Sequence, residues 1–384
     1  ANYHSSLKKL EKGVHVLPVA SPSIGQEELD NAVDAIKSGW ISSQGPYIEK
    51  FEQGFATYCG KKYGVATANG TVALHLALAA LDIGPGDEVI VPTFTFIATP
   101  NSVIYTGAKP IFVDCERETF GPDPRAIEKA ITPRTKAIIP VHLYGHPCQM
   151  KQILEIGLKH GIAIVEDAAE AHGAEYSSSN GPQRKAGSQG LISCFSFYGN
   201  KTITTGEGGI CITDDPNLLE KMRVLRSHGM NPERKYWHDV VGFNYRMTNI
   251  QAAIGLAQLA KLDQFVAKKR RLAQMYREQL SDLVSKNKLN FPLEAKWAKA
   301  SYWMIGLFIP QHRDHVMNEL KKINIDSRPF FHPCHTMPPY PTQSSFPVSE
   351  EIAQSGVLLP CAVDLTDDQV KMVTDAIKRI LEKK

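Results

Sequence analysis

Nowhere does this sequence hold about 18 uninterrupted apolar residues, so it offers no candidate for a helix that spans a membrane. Residues 1–13 are polar and contain no apolar core, so no secretory signal is read there. No C-x-x-C pair occurs. The seven cysteines are scattered and odd in number, which provides neither a disulfide framework nor a zinc knuckle and suits a reducing, cytoplasmic compartment. Charge of one sign is not in excess either. The 43 basic and 40 acidic residues are spread along the chain, and the formal net charge of +3 gives no electrostatic support to a nucleic-acid or membrane-surface partner. G-x-G-x-x-G and Walker A loops are missing, and so are internal repeats. The 13 histidines are dispersed, and prolines break up the region around His332 and His335, so no metal site is expected. One dense cationic cluster, Lys268, Lys269, Arg270 and Arg271, falls in a helical pattern and is expected to be a solvated helix face.

With 384 residues, 43% of them hydrophobic, the chain can bury a large core. Short apolar, β-branched runs at 63–67, 88–91, 109–113, 136–141, 163–166, 192–197 and 209–213 read as strands. Helical patterns at 71–81, 98–105, 124–130 and 148–160 lie between most of them, and another helix is read from about 26 to 38. Alternation of this kind predicts a layered α/β fold with a mostly parallel central sheet and helices on both faces. No helix separates the last two runs, so one strand there is open to an antiparallel reading. A long amphipathic helix over 248–280 reads as a connector. After it come a strand (302–309), a helix (312–323), a Pro/His-rich loop (328–341) and a closing helix (367–383), which suit a smaller α+β unit. The division expected is an arm over 1–22, a large α/β domain over 23–250, and the connecting helix with a small domain over 251–384.

The most informative stretch is SFYGNKTITTGEGG at 196–209, where an apolar strand stops and Lys201 follows within a few residues. A lysine on a turn at a strand end can point into a cleft, where desolvation or nearby charge readies an amine for imine chemistry. Its bland reading is an exposed loop lysine. EDAAE at 166–170 ends another strand, which puts Asp167 where ligands of a parallel sheet bind. A carboxylate there can keep a pyridine nitrogen protonated, or simply cap a helix. ANGT at 68–71 opens a helix, so Gly70 and Thr71 offer N–H groups and a hydroxyl to a phosphate, unless the turn is merely a capped one. Ser196 can add a second hydroxyl, and Phe96 in PTFTF at 92–96 can stack on a flat ring or sit in the core. None decides alone. Together they supply an anion cradle, an aromatic plate, a carboxylate and an amine at the strand ends of one sheet.

These residues, with GWISS at 39–43, GPGDEVIVP at 84–92 and GFNYRMTN at 242–249, resemble the nucleotide-sugar aminotransferases, also called the DegT/DnrJ/EryC1/StrS family. The resemblance covers nearly the whole chain and implies fold-type I pyridoxal-phosphate enzymology. Carried over by position, it implies that Lys201 is the Schiff-base lysine and Asp167 the partner of the pyridine nitrogen. Phe96 falls at the stacking position, Glu170 beside the cofactor, and Gly70, Thr71 and Ser196 at the phosphate. Asn244 would reach the phosphate from a neighbouring subunit, which implies a homodimer with shared active sites, although Arg246 lies close enough to take that role. Phe331 and His335 are the expected substrate contacts. The implied reaction passes an amino group from glutamate, through pyridoxamine phosphate, to C4 of a nucleotide-linked 4-keto-6-deoxy sugar. Residues 241–259 and 327–340 look most like members that use a GDP-linked sugar. UDP- and dTDP-linked sugars, and a non-catalytic regulator on the same scaffold, are the alternatives.

Overall fold

The computed structural model describes residues 16–176, 184–340 and 344–382. Seven strands form the central sheet: β1 (Tyr63–Thr67), β2 (Glu88–Pro92), β3 (Lys109–Val113), β4 (Thr135–Ile138), β5 (Ala163–Asp167), β8 (Ile192–Ser196) and β9 (Gly209–Thr213). Between β5 and β8 lie two short strands, β6 (Glu175–Tyr176) and β7 (Arg184–Lys185), which pair with each other and with β10 (Ala298–Lys299). The order across the large sheet is β1-β9-β8-β5-β4-β2-β3. β3, β2, β4, β5 and β8 run parallel, whereas β9 is antiparallel to both of its neighbours, β8 and β1. The open question about the last two strands is therefore resolved in β9. A direct β8–β9 connection without a crossover helix permits only that direction.

Successive side chains of a strand point to opposite faces, and here both faces are apolar. Val65, Val89, Val91, Val165, Cys194 and Cys211 meet the helix Gly70–Ala80 on one side. Ala66, Phe195, Ile210 and Ile212 meet Phe51 and Phe55 of the helix Pro46–Cys59 on the other, where Ile90, Ile138 and Ile164 meet the helix Met150–His160. Helices thus cover both faces, and the period-2 pattern of the sequence decides which residue meets which layer. The expected strand over 136–141 is shorter than its apolar run, because Pro140 has no N–H to continue the ladder.

The long helix spans Asn249–Gln279 and begins with a capping box between Thr248 and Gln251. Leu272, Ala273 and Tyr276 on its second half enter a core shared by β11 (Ile305–Phe308), β12 (Arg328–Pro329), β13 (Gly356–Leu359) and the closing helix Asp367–Glu382, which Phe94, Phe120 and Tyr144 of the larger unit join. β13 lies between β11 and β12, antiparallel to both. Residues 1–15 of the expected arm lie outside the described residues. Its end is stitched to this region by Leu17 N–H to Asn324 O (2.8 Å) and Cys361 N–H to Val19 O (2.8 Å).

One expectation is overturned. The cluster 268–271 is not a uniformly solvated face: Lys268 and Arg271 pair with Asp364 and Asp367 near the surface, but Lys269 is only 3% exposed. A lysine stem packs like an apolar side chain, so periodicity alone does not tell a buried lysine from a solvated one.

Candidate active site

A cleft of about 650 Å³ opens at the carboxyl ends of β2, β5 and β8 and at the amino end of the helix Gly70–Ala80. It is lined by Gly70, Thr71, Phe96, Asp167, Glu170, Ser196, Lys201 and Phe331. Eight residues singled out from the sequence thus share one cavity. Two do not line it. Asn244 is exposed on the segment bridged to Ser227. His335 is buried behind the end of β2, with Nδ1 2.7 Å from the Thr93 hydroxyl and Nε2 3.2 Å from Glu350 Oε1. It sits on the short 3₁₀ turn Cys334–Thr336, in the same loop as Phe331. Its bonds hold a loop in place, and it is not among the residues that line the cleft.

Lys201 follows β8 on a loop closed upon itself: Phe197 N–H donates to Gly208 O (2.8 Å), Thr205 N–H to Phe197 O (2.9 Å) and Lys201 N–H to Tyr198 O (2.8 Å). Its Nζ lies 3.5 Å from Glu170 Oε1 and 3.9 Å from the centroid of the Trp303 ring. These two contacts fix where the amine sits. Asp167 ends β5 and is buried. Its Oδ2 accepts from the Thr99 hydroxyl (2.7 Å) and its Oδ1 from Ala169 N–H (3.2 Å). Burial raises its carboxyl above the usual range, while these two donors and the Lys201 charge work against that rise. Glu166, one residue earlier, faces the other way into a knot of donors from His142, Gly187, Gln189, Gly190 and Ser193. Burial raises its carboxyl too, but His142 and these N–H groups bring it down to about 2, so it stays a fixed charge.

The cradle is made by close approach. A Cβ on Gly70 would sit 2.6 Å from Ser196 Cβ, so glycine alone lets the helix start meet the end of β8. Asn69 caps the helix by accepting from Val72 N–H (3.0 Å), and the helix start leaves its earlier N–H groups without intrahelical acceptors. The Ser196 and Thr71 side chains border the same corner. Phe96 leaves 53% of its surface uncovered, with its centroid 5.6 Å from that of Phe331, and Asn200 Oδ1 is buried without a partner among the described residues. An anion cradle, a free aromatic face and a buried carboxylate within one cleft fit pyridoxal phosphate. Sequence reasoning missed Thr99, Trp303 and Arg328, which also line the cleft. No short motif marks them, because they reach the site only through the tertiary fold.

Glu170 is the site's pH-sensitive group. Burial pushes its carboxyl up to about 7, against the pull of Lys201 and of Tyr144 N–H (2.9 Å). In the cofactor-free protein the folded state then keeps a proton that the unfolded chain has lost between its ordinary value of 4.5 and about 7. This group's contribution is complete below that window and is lost as pH rises through it. The melting temperature of Glu170→Gln relative to the parent should therefore climb between about pH 5 and pH 7.5. Parallel curves across that range would remove the shift from Glu170.

Residues 22–378 match the DegT/DnrJ/EryC1/StrS aminotransferase family. The chain is similar to GDP-perosamine synthase of Caulobacter vibrioides, 46% identical over 371 residues that cover 95% of this chain and 98% of that one. Among solved structures it is similar to DesV of S. venezuelae, with 37% identity, a TM-score of 0.87, and coverage of 93% of this chain and 94% of that one. It is also similar to the PLP form of the sugar aminotransferase Spr1654 of Streptococcus pneumoniae, with 26% identity, a TM-score of 0.88, and coverage of 96% and 99%. The chain belongs to the DegT/DnrJ/EryC1/StrS aminotransferase family and is a pyridoxal-phosphate-dependent sugar aminotransferase.

Proposed function

We propose that this enzyme moves an amino group from glutamate to C4 of GDP-4-keto-6-deoxymannose, forming GDP-perosamine. The observation that carries the choice of sugar and nucleotide is the near full-length likeness to the Caulobacter enzyme. Bound in the cleft, pyridoxal phosphate supplies an electron sink and a carrier for the amino group. Lys201 Nζ holds the cofactor covalently between turnovers. Once released, the same atom takes and returns the proton at the carbon that exchanges its amino group. Asp167 would pair with the pyridine nitrogen, with Thr99 fixing one of its oxygens. Phe96 covers the ring, Glu170 holds or releases a proton beside Lys201, and Gly70, Thr71 and Ser196 bind the phosphate. Phe331 contacts the sugar nucleotide at the cleft wall.

In the same reading two copies of the chain share their sites. Tyr236, Trp237, Val240 and Val241 form an exposed apolar stretch, Val241 at 91%, just before Asn244. Docking a second subunit there would cover apolar surface and bring Asn244 of the partner subunit toward the phosphate. All seven cysteines are buried and unpaired, which supports a reducing cytoplasm. The chain divides into an arm (1–22), a cofactor domain (23–250) and the connecting helix with a small domain (251–384). This division is supported by β11, β13 and β12 forming a three-stranded sheet apart from the seven-stranded one.

The test is a side-by-side assay of GDP-4-keto-6-deoxymannose against the UDP- and dTDP-linked 4-keto-6-deoxyglucose analogues, with glutamate as donor. We expect kcat/KM at least about 10-fold higher for the GDP sugar, about 1.4 kcal/mol of discrimination. A pyrimidine nucleotide that outperforms it would reassign the substrate and leave the fold and chemistry untouched.

A further inference from the structure

Lys269 has no evident reason to be where it is. It lies midway along the helix Asn249–Gln279, buried, while its neighbours Lys268, Arg270 and Arg271 each reach a carboxylate. Its Nζ donates to two main-chain carbonyls, Trp303 O and Cys361 O, both at 2.9 Å. Among the described residues no carboxylate comes within ion-pair distance of it. Taking an ammonium out of water for two neutral acceptors is costly, and an unbranched apolar side chain of similar length would fill the space without that cost.

What the charge accomplishes is geometric. Cys361 follows β13, and Trp303 precedes β11, so one ammonium ties the long helix to two separate segments. Trp303 is held a second time through its ring: Nε1–H donates to the carbonyl of Asn200 (2.7 Å), the residue just before Lys201. The ring face lies against Lys201 Nζ, and on its other contacts the indole stacks near Tyr144 at an interplanar angle of 19°. A continuous path therefore runs from Lys269 through the Trp303 main chain and indole to the loop that carries Lys201.

We propose that Lys269 is a positioning residue for the aminotransfer, setting the Trp303 indole against the Lys201 amine through its two carbonyl contacts. This rests on Lys201 being the cofactor lysine. Lys269 touches neither substrate nor cofactor, so its removal should slow the proton-moving step and leave ground-state binding alone.

The experiment is a double-mutant cycle on the holoenzyme with Lys269→Met and Trp303→Phe. Lys269→Met should fold, melt no lower than the parent, and lose about 10-fold in kcat, with KM for glutamate and for the keto sugar changed by less than about 2-fold. Trp303→Phe keeps a ring but removes the bond to Asn200 and should itself lower kcat. The double variant should be no slower than Trp303→Phe, because both changes cut the same path. Independent, multiplying losses would overturn the proposal. So would a wild-type kcat in either single variant, or a Lys269→Met protein that cannot fold, which would make the charge a folding element. Borohydride fixation on the parent separates the two levels. Cofactor fixed at a site other than Lys201 overturns both readings, whereas fixation at Lys201 with an additive cycle overturns this one alone.

Discussion

Lys201→Ala is expected to bind pyridoxal phosphate without a covalent bond and to lose transamination by a factor on the order of 10⁴ or more. The side chain removed does two jobs in the proposed mechanism, anchoring the cofactor and moving the proton, so no half-reaction survives intact. What remains should still bind. The cradle at Gly70, Thr71 and Ser196, the face of Phe96 and the Asp167 carboxylate belong to other elements and do not depend on Lys201. Borohydride treatment should therefore fix no cofactor to the variant, while the parent is labelled at one lysine. Lys235 is the control, since its Nζ lies over Tyr236 on an exposed segment and Lys235→Ala should be labelled like the parent. Unique labelling of Lys201→Ala at some other residue would mean that the amine works elsewhere and that the assignment is wrong.

The sheet was legible because every strand of it is sandwiched. Runs such as 63–67, 109–113 and 209–213 coincide with β1, β3 and β9, where apolar side chains are required on both faces. The helices Pro46–Cys59 and Pro216–Arg226 were not read, although each has a proline at its start, and β13 was missed inside a loop-like stretch. Four residues buried on both faces look the same as any short apolar run. The cleft was legible where chemistry follows a strand end within a few residues, as at Asp167 and Lys201. Side chains whose place depends on packing were not. Phe331 lines the cleft and His335 bonds Thr93 outside that lining, and a Pro-rich loop has no periodicity that would separate them. Lys269 was read as solvated because a helix pattern records which face a residue is on, and this face meets other protein.

Asp167→Asn should keep the cofactor and lose at least about 100-fold in turnover, close to 3 kcal/mol in barrier. Its carboxylate is held by Thr99 and Ala169 on fixed elements, so an amide of the same shape fits the same pocket and can still accept the Thr99 hydroxyl bond, giving up the one from Ala169 N–H. What changes is charge. A buried carboxylate opposite the pyridine nitrogen makes the protonated ring the favoured form, and a neutral amide does not. The ring then withdraws electrons less strongly when the proton at the amino-bearing carbon has to leave. In the proposed site, ground-state binding rests on Gly70, Thr71, Ser196 and Phe96, so the loss should appear in kcat with KM nearly constant. Removal of burial strain also has a measurable sign. The Asp167 carboxyl is raised by desolvation, so in the cofactor-free protein the melting temperature of the amide variant relative to the parent should climb from acid to neutral pH. Stable protein, retained cofactor and near-parental kcat together would remove Asp167 from the pyridine nitrogen. A fall in kcat accompanied by loss of cofactor would instead place it among the groups that only hold the ring.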